Sequence, residues 1–138
     1  MENKNYFDYI ICGGGASGLM LMRALCFDPF FDQKKILLVE KESKSINNRT
    51  WCFWEEKESD WESILYNSWD FAEFKAAGVD LSITLKPYKY KMIRGIDFYK
   101  KIHKELRQKS NITLINQEII DVVDKKNHVL VRTKNESY

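Results

Sequence analysis

The sequence predicts an α/β fold built on a parallel sheet, and three observations predict it. A short apolar run, Tyr9-Ile10-Ile11-Cys12, breaks into Gly13-Gly14-Gly15 and is followed by an apolar stretch too long for a second strand. A second apolar run, Ile36-Leu37-Leu38-Val39, ends at Glu40. After position 95 a helical pattern leads into a third run, Ile112-Thr113-Leu114-Ile115. Strand, helix, strand, helix, strand is the order of a sheet whose parallel strands are joined by crossover helices.

Composition narrows the class without naming a function. At 138 residues the chain suits one domain or part of one. Apolar residues are 44% and charged residues 30%, which places it among soluble globular proteins rather than disordered ones. A net charge of +2 is too small to imply nucleic acid as a partner. Cys12, Cys26 and Cys52 form no CxxC pair and no metal-ligand spacing, so no metal is expected. Their odd number, without a signal peptide, implies reduced thiols in a cytoplasmic setting. Cys12 is expected to fill a small core site on the first strand. The uncharged stretch 9–22 is too short to span a bilayer, and glycines interrupt it.

The elements follow in order. Asp8 to Cys12 is the first strand, and Ala16 to Phe27 the first helix. Arg23 is the only charge in that helix, which predicts burial on most sides. Asp28-Pro29 ends it, because a residue before proline disfavours the helical backbone. Lys34 to Val39 is the second strand, and its uninterrupted apolar run, Ile36 to Val39, fits a parallel strand covered on both faces.

Residues 41–95 read as an insertion where a minimal unit would already have placed a crossover helix. Within it, 60–66 suggests a short helix carrying Trp61, Ile64 and Leu65. The alternation Val79, Leu81, Ile83, Leu85 predicts a half-buried strand. After a turn at Pro87, Tyr88, Tyr90 and Met92 predict another strand, with its lysines on a solvated face. Phe98, Ile102 and Leu106 set an amphipathic helix over 96–109, packed on the sheet. Residues 112–115 form the third parallel strand, and 118–123 with 128–133 a hairpin turning at 124–127. The domain organisation is thus a first βαβ unit over 1–42, an inserted segment over 43–95 and the continuation of the first domain over 96–138. The sheet so drawn lacks a later parallel strand. The chain is therefore expected to be the N-terminal part of a longer protein, poorly folded and inactive alone.

The glycines at 13, 15 and 18 carry the chemistry. Their spacing, after a strand and opening a helix, is the dinucleotide-binding fingerprint of a Rossmann-type domain. Gly13 permits the tight turn, Gly15 lets the backbone approach a pyrophosphate, and Gly18 lets the helix pack close to the sheet. The helix start then offers N–H groups and about half a positive charge to the phosphates. Glu40 stands at the distance where an acid that binds ribose is expected.

One segment is more specific. Asn48-Arg49-Thr50-Trp51-Cys52-Phe53-Trp54, together with DYIICGGGASGL, ILLVEKE and YKYKMIRGIDFY, resembles the N-terminal region of bacterial lycopene beta-cyclases, over about Asp8 to Tyr99 and more loosely to Thr133. The resemblance implies a Rossmann-type FAD domain with an inserted substrate-domain segment. It implies that Gly13, Gly14, Gly15, Ala16, Ser17 and Gly18 hold the FAD pyrophosphate, that Glu40 binds the adenosine ribose with Lys41 beside it, and that Arg49 lies near the pyrophosphate. Ile119 would offer backbone groups to the adenine. Trp51, Phe53 and Trp54 would line a channel for a polyene, or belong to the core of the inserted segment.

The activity implied is cyclisation of the ends of lycopene into β-ionone rings, with reduced FAD as cofactor and NAD(P)H as reductant. The protein would be cytoplasmic and peripheral to the inner membrane, where such a hydrocarbon resides. The family's acid in an FxEE-type motif is expected beyond this region, so no catalytic residue is named. Two other readings share the glycine turn: a flavin-dependent oxidoreductase such as an aromatic hydroxylase or prenyl reductase, and a nucleotide-binding fragment without turnover.

Overall fold

The computed structural model describes residues 5–138. In chain order its elements begin with β1 (Tyr9–Cys12), α1 (Ala16–Phe27) and β2 (Ile36–Glu40). They continue with β3 (Thr50–Glu55), β4 (Leu65–Trp69), β5 (Phe71–Ala76), β6 (Val79–Thr84) and β7 (Lys89–Arg94). Then come α2 (Gly95–Leu106), β8 (Ile112–Asn116), β9 (Ile119–Asp124) and β10 (Val129–Thr133). The chain divides into two compact units, one formed by the segment up to Ser43 with Ile102–Tyr138, the other by Lys44–Lys101.

In the first unit β1, β2 and β8 form a parallel sheet in the order β1-β2-β8. The register runs from Tyr9 opposite Ile36 to Cys12 opposite Val39 on one side, and from Ile36 opposite Ile112 to Glu40 opposite Asn116 on the other. The uninterrupted apolar run of β2 is explained by its central place: Ile36, Leu37, Leu38 and Val39 are all buried. Cys12 is exposed, contrary to the core position expected of it. It is the last residue of β1, where the chain leaves the sheet, and strand alternation puts its neighbour Ile11 in the core instead.

Helix α1 also differs from expectation. Leu19, Met22 and Cys26 form one buried stripe, whereas Met20, Leu21 and Phe27 are exposed. A helix lying against a sheet buries the residues spaced three and four apart, and apolar residues elsewhere on it gain no cover from composition alone. Asp28 ends the helix as expected: its N–H donates to Leu25 O, and its side chain accepts from Phe30 N to start the 3₁₀ turn Pro29–Phe31. Arg23 Nε donates to Glu105 Oε2 of α2 at 2.6 Å. Along α2, Phe98, Ile102 and Leu106 are buried at the predicted four-residue spacing. The hairpin β9–β10 forms as predicted, with Lys125 N donating to His128 O across its turn.

The second unit departs more. Thr50–Glu55, to which the sequence pattern assigns no element, is strand β3, and it pairs antiparallel with β7 in a sheet ordered β3-β7-β4. The expected helix over 60–66 is one 3₁₀ turn, Glu62–Ile64, that runs directly into β4. Strand β5 was not anticipated; it pairs with β6 across a turn at Gly78, whose φ is +78°. Strand β6 forms where predicted, but every residue in it is exposed rather than half-buried. Alternation does sort its side chains, since Ala72, Phe74 and Ala76 pair with Ile83, Leu81 and Val79 on one apolar face. Burial further requires a surface against that face, which alternation alone does not supply.

The lysine face expected on β7 is interrupted by Lys91, which is only 3% exposed. Its Nζ donates to Glu55 Oε2 at 2.9 Å, to Glu62 Oε1 and to Lys57 O. Burial alone pushes this ammonium down; its hydrogen bonds to Glu62 and Glu55, with their charges, more than offset that and raise it.

Candidate dinucleotide site

The site is built where β1 ends. Gly13 has φ +107°, a conformation that L side chains rarely adopt, and its N–H donates to Val39 O at 2.8 Å. Gly14 is buried under the end of β2: a Cβ there would lie 2.8 Å from Glu40 Cβ and 3.0 Å from Glu40 Cγ. Its N–H donates to Glu40 Oε2 at 2.6 Å. Gly15 is different, because a Cβ on it meets nothing within 4 Å. Gly18 is the tightest, with its Cβ position 1.9 Å from the Gly13 carbonyl oxygen.

Three glycines are therefore required by the protein's own geometry, and the space beside Gly15 is open. Gly14 is the one whose need the spacing did not reveal. The motif assigns no role to its position, and only the placement of Glu40 supplies one.

Helix α1 begins at this turn. Gly15 is its N-cap and supplies no side chain to cap it, and no acidic residue lies in the first turn. The first helical bond is from Leu19 N to Gly15 O. The early N–H groups, among them those of Ala16 and Ser17, thus meet a helix dipole's positive end with no carboxylate of the first turn to balance it. An open approach at Gly15 and an uncapped helix start fit a pyrophosphate.

Glu40 closes the end of β2. Its Oε1 accepts from Glu42 N at 3.0 Å and its Oε2 from Gly14 N, so the carboxylate is fixed by backbone donors on both sides. Asn116 reinforces the strand end by donating to Glu40 O and Glu42 O. Lys41 is exposed beside it. Gly13 to Gly18 and Glu40 are therefore assembled into one place. Ile119, at the start of β9, is half-buried and pairs with Thr133. Arg49 belongs to the second unit, where it is exposed and its carbonyl accepts from Gly95 N at 2.7 Å.

The three aromatics of the NRTWCFW segment do not share a surface. Strand alternation sends Trp51 and Phe53 to one side of β3 and Trp54 to the other. Trp51 packs on Phe98 and Tyr99, with ring centroids 5.0 and 5.9 Å apart, and Phe98 also meets Trp61 at 5.4 Å. That cluster is core of the second unit. Trp54 is 57% exposed.

The string Phe53-Trp54-Glu55-Glu56 does have the literal FxEE spacing, which sequence reasoning passed over. Its setting is unsuited to a proton donor. Glu55 is ion-paired with Lys91 and accepts from Ser59 Oγ, and Glu56 is exposed. A general acid of this kind needs an apolar pocket that keeps the carboxyl neutral.

A glycine turn between the first strand and first helix of a parallel sheet, with an acid closing the second strand, defines a Rossmann-type dinucleotide-binding fold. Solved structures share it at low identity. A probable FAD-dependent monooxygenase from Pseudomonas aeruginosa matches 96% of this chain and 40% of its own, with a TM-score of 0.70 and 12% identity. The p-nitrophenol 4-monooxygenase of Pseudomonas putida matches 94% of this chain and 37% of its own, with a TM-score of 0.64 and 14% identity. A geranylgeranyl bacteriochlorophyll reductase-like protein of Thermoplasma acidophilum matches 95% and 36%, with a TM-score of 0.60 and 16% identity. The chain spans less than half the length of each.

The chain belongs to the lycopene cyclase family, whose model, described as lycopene cyclase protein, matches residues 8–137. No sequence among curated proteins matches it. No helix among the described residues is long and apolar enough to cross a membrane.

Proposed function

We propose that this chain carries the FAD-binding part of a flavin-dependent lycopene cyclase, with the pyrophosphate of FAD at Gly13 to Gly18 and the adenosine ribose at Glu40. The observation that carries this reading is the open approach at Gly15 within a turn where packing requires glycine at 14 and 18 and a positive φ favours it at 13. Family membership supports the cyclisation reading. Lys41 adds positive charge beside the ribose acid, and Ile119 is the further candidate for the adenine. Reduced FAD, with NAD(P)H as the reductant that forms it, would supply an electron-rich ring system able to stabilise positive charge.

The reaction has no net redox change. A proton adds to the terminal double bond of lycopene, the carbocation closes the ring by attack of a neighbouring double bond, and a proton leaves. The acid is assigned to none of these residues. The substrate resides in lipid, so the reading includes peripheral attachment to the inner membrane; of the stretch Tyr88 to Met92, the exposed Tyr88 and Lys89 would make the interfacial contact, since Lys91 is buried.

The test uses the full-length protein with FAD and NAD(P)H under anaerobic conditions. Lycopene supplied in micelles is expected to give γ- and then β-carotene, followed by absorbance and chromatography. An oxygen- or hydride-dependent product would mean a redox flavoenzyme like the monooxygenases of the same fold. Flavin binding without turnover of lycopene would reduce the chain to a nucleotide-binding protein.

A further inference from the structure

The sheet β3-β7-β4 has two faces of opposite character. One carries Trp51, Ile93 and Leu65 in register, and Trp51 is covered there by Phe98 and Tyr99 of α2. On the other, Trp54 stands opposite Tyr90, and Tyr90 opposite Trp69, so one aromatic ring from each strand forms a row across the sheet. The ring centroids are 4.8 and 5.8 Å apart, with interplanar angles of 40° and 33°. The next row is Cys52, Met92 and Asn67. Beyond Met92 on this face comes Arg94, which donates to Asp97 Oδ2 at 2.6 Å and lies 4.7 Å over the Tyr66 ring.

We propose that this row of Trp54, Tyr90 and Trp69, extended by Met92 and Cys52, is the platform on which an end of the linear conjugated hydrocarbon lies. The inference rests on the reading of the chain as a lycopene cyclase. Three facts select the occupant. The two rows bring no formal charge, so a charged ligand finds no counter-charge in them. Inclined rings in sequence present successive π faces over about 10 Å, two strand spacings, which suits a flat and elongated π system. Met92 and Cys52 continue that surface with polarisable sulfur, which adapts to a chain without demanding hydrogen bonds. The platform lies on the opposite side of β3 from Trp51 and Phe53, so the segment NRTWCFW divides between the core and the substrate.

Trp54→Ala and Trp69→Ala test it in the full-length protein with FAD bound, by lycopene titration in mixed micelles and by steady-state rates. Trp54 is exposed, so its removal leaves the fold intact, and it decides the matter should Trp69→Ala fold poorly. Each is expected to raise Kd and KM for lycopene by about tenfold, with kcat and flavin content retained, as loss of binding shared by substrate and transition state requires. Trp54→Phe should recover most of the loss.

Unchanged Kd and KM in Trp54→Ala, in a preparation that cyclises lycopene, overturn the platform and leave the cyclase reading standing. A wild-type protein that holds FAD but neither binds nor converts lycopene overturns both. A change of sedimentation coefficient in polyene-free Trp54→Ala, with lycopene binding unaltered, makes this face a contact between copies and also overturns the proposal.

Discussion

The glycine turn and the antiparallel sheet are built on opposite principles. In residues 13–18 the structure works by the absence of side chains: a Cβ at Gly14 or Gly18 collides with Glu40 or with the Gly13 carbonyl, and the space at Gly15 is left open. In β3, β7 and β4 the side chains decide everything, and a single sheet separates a tryptophan in the core from one that is exposed. The first region is constrained by backbone geometry, which leaves a direct trace in the sequence as glycine. The second is constrained by pairing, which leaves no such trace until the register is known.

The sharpest way to break the comparison is Gly18→Ala. If the turn is fixed by backbone contact, one methyl group placed 1.9 Å from a carbonyl cannot be absorbed by a rotamer change. The helix must move off the turn, at a cost of more than about 4 kcal/mol, large enough to unfold a marginal domain. Circular dichroism and thermal unfolding of the purified variant should show loss of the cooperative transition. A native-like melting curve would mean that the helix start is not held against the turn.

Lys91→Met probes the same question in the sheet. The methionine keeps much of the stem's packing but leaves Glu55 and Glu62 facing one another with no cation between them. Removing one partner of a buried ion pair costs roughly 3–5 kcal/mol, and the lower end applies because both carboxylates retain some contact with water. Denaturant titration should show a lowered midpoint, with Glu55→Gln and Glu62→Gln together in the same background recovering part of it. A variant as stable as the parent would show that side-chain chemistry is less decisive in this unit than the comparison requires.

Glu40→Ala stands between the two cases, since a side chain here serves the turn by accepting from Gly14 N and Glu42 N. The variant should also lose the charged hydrogen bonds proposed from the ribose hydroxyls, roughly 1.5–3 kcal/mol each, and so weaken FAD by about one to two decades. Glu40→Gln, which keeps an acceptor oxygen, should lose less. Isothermal titration with FAD separates the two, and equal, unaltered affinities would make Glu40 a structural group only.

How much of this was legible follows from the same contrast. The parallel strands were readable because β2 is buried on both faces, and a run such as Ile36 to Val39 is what a central strand demands. Gly13 and Gly18 were readable because no other residue fits their positions. Strand β3 was not, because Trp51, Phe53 and Trp54 are all aromatic and the residues facing solvent and core differ little in polarity. Lys91 was misread as solvated because only the fold brings Glu55 and Glu62 to it across 36 and 29 residues of sequence. The exposure of β6 was hidden for a third reason: alternation states which side chains share a face, and says nothing of whether that face is covered. Gly14 lay within the recognised motif, yet its reason is a partner 26 residues away.

The central claim is that the turn's open side belongs to a phosphate. Gly15→Ala tests it most directly, in the full-length protein purified with its flavin. Gly15 has φ −70° and nothing within 4 Å of the added methyl, so the flavin-free variant should unfold at the same temperature as flavin-free wild type. Its flavin absorbance per protein should fall close to zero, because the methyl occupies the space through which the pyrophosphate reaches the backbone. Full flavin occupancy in a normally folded Gly15→Ala protein would contradict the account.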